Sequence, residues 1–240
     1  MPTNPQEEFW SGPAGKTYMR RNDNPDKRYI ERQPFFDLFE GFSRDMAILE
    51  VGCNVGINLS ILQNLGFTNL HGIDIYSSAV EVAKQFVPGA NFSVGTLMKL
   101  PYANEEFGAV FSSGVLIHQD PTGPLFTAMN EMIRCSSRYI LGFEDYADTF
   151  EAPGCYNRSD LYWRGPYSHL WKDPECGLHL EERAAQRAAG TLAYFKKGAQ
   201  VGAADLASPT AAANSAAIEK TKNWSYVKES YRFSKKKKEA

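Results

Sequence analysis

The sequence predicts an α/β protein with a Rossmann-like, doubly wound and mostly parallel seven-stranded sheet that carries helices on both faces. Short apolar runs alternate with amphipathic stretches, which is typical of a parallel sheet crossed by helices. The first run, residues 46–51, leads into a glycine turn and then into a helical pattern over 57–65. The length of 240 residues suits one such domain with additions.

The predicted elements follow one another at regular spacing. Strands are expected at 46–51, 70–75, 91–94, 106–113 and 138–143, with two more at 191–195 and 224–231. Helices are expected at 26–42, 57–65, 78–86, 122–134 and 178–189. Right-handed crossovers place the carboxyl ends of parallel strands on one edge of the sheet, so a ligand cleft is expected at that edge.

Changes in composition divide the chain into segments. We expect an N-terminal lid or strap at 1–25, the main domain at 26–198, an Ala-rich low-complexity insertion at 199–221, a closing strand of the same domain at 222–232 and a basic tail at 233–240. The first segment is polar but holds several aromatic residues, and a disordered leader usually lacks them. The long polar and aromatic loop region at 144–176 is expected to be functional.

Charge and cysteine content narrow the class of protein. The formal net charge of -2 gives no general attraction to nucleic acid or to an anionic membrane. The four cysteines lack paired spacing, which favours reduced thiols in a cytoplasmic protein. The first residues do not form a signal peptide, and no window is apolar enough for a membrane span. No His/Cys/Asp cluster has metal-ligand spacing, so we expect no metal. We expect a monomer or a homodimer.

The glycine turn narrows the choice of cofactor. Gly52 and Gly56 leave out the middle glycine of the dinucleotide fingerprint, and the Gly-Lys-Ser/Thr ending of a phosphate-binding loop is absent. A ligand with an adenosine but no phosphate suits this turn better. Asp74 ends the second predicted strand, 22 residues after Gly52, where an acidic side chain typically binds ribose hydroxyls.

Several segments resemble a known enzyme family. The pattern E-x-G-x-x-x-G-x-N, which begins at Glu50, resembles motif I of the class I S-adenosylmethionine (SAM) methyltransferases. The segments EEFWSGPAGKTYMRRN, ILEVGCNVGINL, SSGVLIHQDP, RCSSRYIL and LYWRG, within about residues 7–172, resemble the pseudaminic acid biosynthesis-associated methylases. The resemblance implies SAM as the cofactor and S-adenosylhomocysteine as its product. The family name indicates an acidic sugar pathway.

The resemblance also implies where the cofactor binds. Asp74 would hold the ribose, Ile75 would pack on the adenine, and Thr96 stands where many methyltransferases place an acidic residue beside that ring. A threonine hydroxyl would still hydrogen-bond the amino group of the adenine. Cys53 is expected to be a small packing residue. The full predicted cofactor set is Glu50, Gly52, Cys53, Asn54, Gly56, Asn58, Asp74, Ile75, Thr96, Leu97, Ser113 and Gly114.

The predicted catalytic residues are His118 and Glu144. His118 follows the fourth predicted strand, and a free imidazole titrates near pH ~6.5, which suits a general base. The alternative is a histidine that fixes the loop before Asp120. The acceptor is expected to contact Trp10, Tyr18, Arg21, Tyr146 and Arg164. Arg21 would pair with an acidic group or belong to a solvated strap, and Arg164 would bind the acceptor or pair with Glu144.

We therefore expect a SAM-dependent methyltransferase that modifies a hydroxyl or amino group of a small polar metabolite, resembling a sugar or an amino acid. One alternative is a methyltransferase of protein or RNA, with the basic tail and the Ala-rich tract as contact regions. The mild net charge and the missing Asn/Asp-Pro-Pro-Tyr motif disfavour nucleic acid. Another alternative is a SAM-binding partner subunit without catalytic activity.

Overall fold

The computed structural model describes residues 4–20, 29, 32–33, 35–171, 178–187, 191–195 and 227–235. Arg21, the Ala-rich tract at 199–221 and the last five residues of the basic tail lie outside these ranges. Pro34 and part of the predicted helix 26–42 also lie outside, although residues 35–37 are helical. Within the described ranges, no helix combines the length and the apolar character needed to cross a bilayer.

Strands and helices alternate through the first part of the chain, as predicted. The strands are β1 (Ile48–Val51), β2 (Leu70–Asp74), β3 (Asn91–Val94), β4 (Phe107–Ser113), β5 (Ser136–Tyr146), β6 (Leu178–Arg187), β7 (Thr191–Phe195) and β8 (Val227–Lys235). The helices are α1 (Pro5–Ser11), α2 (Pro13–Met19), α3 (Ile57–Asn64), α4 (Ser77–Phe86), α5 (Pro124–Cys135) and α6 (Tyr167–Leu170).

The described strands form one sheet in the order β3-β2-β1-β4-β5-β8-β6-β7. The first five in this order are parallel, and β8, β6 and β7 continue the sheet in antiparallel pairs. The Rossmann-like α/β class is confirmed. The sheet has eight strands in the described ranges, one more than predicted, because β6 and β7 form a hairpin beside β8.

The predicted helix at 178–189 is wrong, because residues 178–187 form β6. Their sequence, LHLEERAAQR, is rich in residues that favour helices. Pairing with β8 on one side and β7 on the other satisfies the backbone of this strand, and that tertiary pairing overrides local propensity. The predicted strand at 191–195 is present as β7. The closing strand β8 covers the described part of its predicted range and continues to Lys235; residues 222–226 lie outside the described ranges.

The core lies on both faces of the sheet. All four residues of β1 are buried, as expected for a central parallel strand. On one face, the segment 35–42 packs with α3 and α4 through Phe35, Phe39 and Leu62. On the other face, α5 packs with the region around α6. Both layers leave the carboxyl edge of the parallel strands open for a site.

Candidate active site

A cavity of about 930 Å³, part of it open to solvent, lies at the carboxyl edge of β1, β2 and β4. Its lining residues from the sheet side are Glu50, Gly52, Cys53, Asn54, Val55, Ile57, Asn58, Asp74, Ile75, Tyr76, Leu97, Ser113, Gly114, Val115, His118 and Gln119. The N-terminal region contributes Glu7, Trp10, Gly15, Tyr18 and Arg32. Most of the residues predicted from the sequence for the cofactor therefore meet in one space.

The turn between β1 and α3 has left-handed backbone conformations at Gly52 (φ 69°), Asn54 (φ 49°) and Gly56 (φ 79°). Glycine is required at position 52, because a Cβ atom there would also lie 2.5 Å from a methyl group of Val115. Gly56 does not line the cavity; it precedes α3 and allows the chain to enter that helix.

The backbone N–H groups of this turn are occupied by protein acceptors. Those of Gly52 and Cys53 donate to the Ile73 carbonyl, and that of Gly56 donates to the Cys53 carbonyl. The Asn54 N–H donates to Asp74 Oδ2 at 2.8 Å, and the Val55 N–H donates to Asn54 Oδ1. A phosphate-binding loop needs such groups for its ligand. The geometry therefore favours a ligand without phosphate.

Asp74 ends β2 at the wall of the cavity. Its Oδ1 accepts a hydrogen bond from the Tyr76 N–H at 2.8 Å, and its Oδ2 accepts the bond from the Asn54 N–H. Burial raises the pKa of the Asp74 carboxyl, and hydrogen bonding to the backbone N–H groups of Tyr76, Asn54 and Ile75 lowers it in part. A carboxylate has about four acceptor positions, so the fixed side chain can also accept from the hydroxyls of a ribose.

Charge within the cavity favours a cationic ligand. Among the described residues that line it, Glu7, Glu50 and Asp74 are acidic, whereas Arg32 is the only lysine or arginine. Glu50 is 1% exposed, and its Oε1 accepts a hydrogen bond from Asn58 Nδ2 at 2.6 Å. A buried acidic surface attracts a sulfonium or an ammonium group.

Cys53 has the environment of a packing residue. Burial is the main cause that raises its pKa well above the usual value, and the nearby Asp74 and Glu50 charges add to this effect. A thiol in these surroundings stays protonated and is a poor nucleophile.

His118 lies on a 3₁₀ turn (Leu116–His118) after β4. Its Nδ1 lies 2.6 Å from the Leu161 carbonyl, which can only accept, so Nδ1 carries the proton. The lone pair of the neutral ring is then on Nε2. The Trp10 ring packs against the imidazole with centroids 4.5 Å apart. His118 therefore both joins the turn to the loop around Leu161 and lines the cavity.

Glu144 does not line the cavity. It lies in β5 beneath the turn that carries His118 and is fully buried. Its carboxylate accepts hydrogen bonds from Ser112 Oγ at 2.8 Å, Val115 N at 3.1 Å and Ile117 N at 3.4 Å. These bonds fix the backbone of the turn, so the geometry assigns Glu144 to support rather than to chemistry.

Three other predicted residues also differ from expectation. Tyr146 donates its hydroxyl proton to Asp148, and Arg164 pairs with Glu151 at 3.3 Å rather than with Glu144. Neither side chain lines the cavity. Thr96 lies behind the lining, where its hydroxyl donates to Glu7 and accepts from the Met98 N–H. Its proton is therefore directed to a protein carboxylate.

Five further lining residues were not predicted from the sequence: Glu7, Gly15, Arg32, Tyr76 and Gln119. Arg32 donates to Ser113 Oγ, lies 4.9 Å from the Phe143 ring centroid and is 8% exposed. One signal was available: Arg32 falls on the same helical face as Phe35 and Phe39, where an apolar residue is expected. The positions of Glu7 and Gly15 depend on how the N-terminal helices dock, which local patterns do not encode.

Comparison with known proteins gives one matching domain and several similar folds. Residues 49–140 match a family described as "Methyltransferase domain". No curated protein shows significant sequence similarity to the chain. One similar structure is the complex between the Haloferax volcanii Trm112 methyltransferase activator and the putative methyltransferase, at 13% identity and TM-score 0.65, with 99% of this chain and 100% of that chain covered.

Another similar structure is magnesium protoporphyrin IX methyltransferase from Synechocystis PCC 6803 with bound S-adenosylhomocysteine, at 12% identity and TM-score 0.61, with 96% of this chain and 98% of that chain covered. At these identities the likeness shows the fold. It confirms the predicted Rossmann-like α/β fold, and residues 49–140 match a methyltransferase domain within that fold. It also supports SAM as the cofactor.

Proposed function

We propose that this protein transfers a methyl group from SAM to a hydroxyl or amino group of a small polar metabolite, with His118 as the general base. The main support is the position of His118 in the same cavity as the cofactor residues Gly52 and Asp74. SAM supplies a methyl group on a sulfonium. The protein then has to align the acceptor and to receive its proton.

Cofactor binding is divided among the cavity residues. Asp74 binds the ribose hydroxyls, and Ile75, Tyr76 and Leu97 provide the apolar surface for the adenine. Glu50 and Arg32 bind the ammonium and the carboxylate of the methionyl group. This assignment places both charges of the ligand beside opposite charges that are already buried.

The acceptor binds between His118 and the N-terminal helices. Trp10 Nε1 and Gln119 Oε1 are buried atoms without a hydrogen-bond partner among the described residues, and both residues line the cavity. Unpaired buried polar atoms are costly, so they favour a polar ligand. The acceptor's lone pair attacks the methyl carbon, and His118 Nε2 accepts the proton that the acceptor loses. Glu144 holds the turn that carries His118.

Helices α1 and α2 act as a lid and favour a small acceptor. Trp10 and Tyr18 belong to these helices and pack on each other at 5.6 Å. Both side chains line the cavity, so they narrow the space that part of a folded macromolecule would need to enter. An acidic sugar, as the family resemblance suggests, is one acceptor of suitable size and polarity.

The test combines methyl transfer with a His118 variant. Incubation with methyl-labelled SAM and a host metabolite extract should yield a methylated small molecule, detected by mass spectrometry. His118→Ala should reduce turnover by about 10²- to 10⁴-fold, the usual contribution of a general base. S-adenosylhomocysteine should still bind this variant. Near wild-type turnover would refute the role of His118, and label found only in macromolecules would refute a small acceptor.

A further inference from the structure

We propose that Glu7, on the N-terminal helix α1, binds the 6-amino group of the adenine and replaces the acidic residue that position 96 lacks. The inference rests on the proposed use of SAM. It extends that function by assigning recognition of the nucleobase to a segment outside the matched domain, which begins at residue 49.

The position of Glu7 is the first argument. Asp74 pairs with Val94 across β2 and β3, so Thr96 lies two residues beyond the neighbour of the ribose-binding aspartate. Adjacent strands are about 4.8 Å apart. An adenine attached to a ribose at Asp74 extends toward this point, where Ile75 and Leu97 line the cavity. The Glu7 carboxylate reaches the same point and contacts Thr96 Oγ1.

The chemistry of the pair is the second argument. The Thr96 hydroxyl accepts the Met98 N–H and donates its only proton to Glu7, so Thr96 orients the carboxylate. A carboxylate has about four acceptor positions, so a carboxylate that already interacts with protein groups can also accept a hydrogen bond from a ligand. Glu7 is 5% exposed and lines the cavity. An amino group is the donor that such a buried acceptor selects.

The docking of α1 is the third argument. Asn4 caps the helix by accepting the Glu7 N–H at 2.9 Å, which fixes the helix start. Gln6 Nε2 donates to the Asp160 carbonyl at 2.8 Å, and the Phe9 ring packs on Tyr156 at 5.2 Å. These contacts hold α1 against the loop that also contacts His118.

Glu7 and Trp10 lie three residues apart in α1 and line the nucleobase end and the acceptor end of the cavity. Residues three apart in a helix share a face. Glu7 faces the adenine end and Trp10 packs on His118. Docking of α1 therefore completes the nucleobase site and the acceptor site together.

A double-mutant cycle tests the inference with S-adenosylhomocysteine and its purine riboside analogue, which has hydrogen in place of the 6-amino group. Calorimetry should show that wild type binds the analogue about 10- to 100-fold more weakly, the value of a hydrogen bond to a charged group. Glu7→Ala should weaken the binding of S-adenosylhomocysteine by a similar factor. It should also lose most of the preference for the ligand that carries the 6-amino group. Glu8→Ala, an exposed neighbour on the same helix, should match wild type.

A rescue variant separates recognition from folding. Glu7→Ala combined with Thr96→Asp should regain much of the affinity and of the preference for the amino group. A Glu7→Ala variant that keeps the full preference would overturn the inference, as would a rescue variant that stays weak although its melting temperature matches wild type. Wild type that fails to bind S-adenosylhomocysteine would instead overturn the proposed function.

Discussion

At the scale of single residues, burial of the charged Asp74 carboxylate lowers the folding stability of the protein. Because burial raises its pKa, the folded protein binds the Asp74 proton more readily than the unfolded chain does. Its contribution to stability is therefore present at acid pH and is lost as the pH rises through the raised pKa. Hydrogen bonds from the ribose would offset this cost when the cofactor binds.

This raised pKa predicts an acid limit for cofactor binding. Affinity for S-adenosylhomocysteine should fall as the pH drops through the pKa of Asp74, at a higher pH than the usual value of ~3.9 for aspartate would give. Protonation removes the negative charge and one acceptor position. Calorimetry over a descending pH series measures the effect. The same decline should persist in His118→Gln, and a decline that disappears in this variant would assign it to the histidine instead.

Arg32 offers a test of how the methionyl end is held. Arg32→Met keeps the length of the side chain but removes the cation. The affinity of this variant for S-adenosylhomocysteine should fall by about tenfold or more, since a charge-assisted hydrogen bond is lost. 5′-Methylthioadenosine lacks the amino-acid group, so its affinity should stay within about twofold of wild type. Equal losses for both ligands would show that Arg32 supports the fold rather than the methionyl carboxylate.

The residues found from the sequence share one property. Glu50, Gly52 and Asp74 lie at strand ends next to their own turns, so short-range patterns identify them. Glu7 and Arg32 come from distant segments and enter the site only through tertiary packing. Glu144 also lies near a strand end, but its carboxylate accepts hydrogen bonds from the turn that carries His118 and does not line the cavity, and its catalytic role stays a prediction.

At the scale of elements, β6 shows where local propensity fails. Its sequence favours a helix, whereas its strand partner β8 lies far along the chain, with Arg187 paired to Val227 and Leu178 paired to Lys235. No window that covers one segment contains that information. The central strands β1, β2 and β4 were predictable because their apolar runs are short and each precedes a turn and a helix. Their boundaries moved by only one or two residues.

The contact between α1 and α2 depends on Gly15. A Cβ atom at this position would collide with the Trp10 carbonyl and lie 3.2 Å from the Tyr76 ring. Gly15→Ala should therefore displace Trp10 or Tyr76 and weaken the binding of S-adenosylhomocysteine. The loss should be about 5- to 150-fold if the overpacking cost of about 1–3 kcal/mol falls on the bound state. Calorimetry measures the loss.

Gly12→Ala is the matched control, because a Cβ atom there meets only ordinary contacts at 3.4 Å or more. Its affinity should stay close to wild type. Equal affinities in both variants would contradict a lid whose position controls the cofactor site.

At the scale of the whole molecule, one sheet edge gathers the site from three parallel strands, and the N-terminal helices cover it. The doubly wound class, the cofactor edge and the adenosine-type ligand follow from the sequence, because they depend on alternation and on the glycine turn. The pairing of β6 with β8 and the docking of α1 do not, because each depends on contacts between distant segments. The proposed acceptor site, between His118 and α1, depends on one of these less predictable contacts.

Calorimetric titration with S-adenosylhomocysteine tests whether this cavity binds SAM through Asp74. Wild type should bind with one site per chain, and Asp74→Ala should show no measurable binding while its melting temperature remains that of a folded protein. Unchanged affinity in Asp74→Ala, or a folded wild type that does not bind the ligand, would contradict the account.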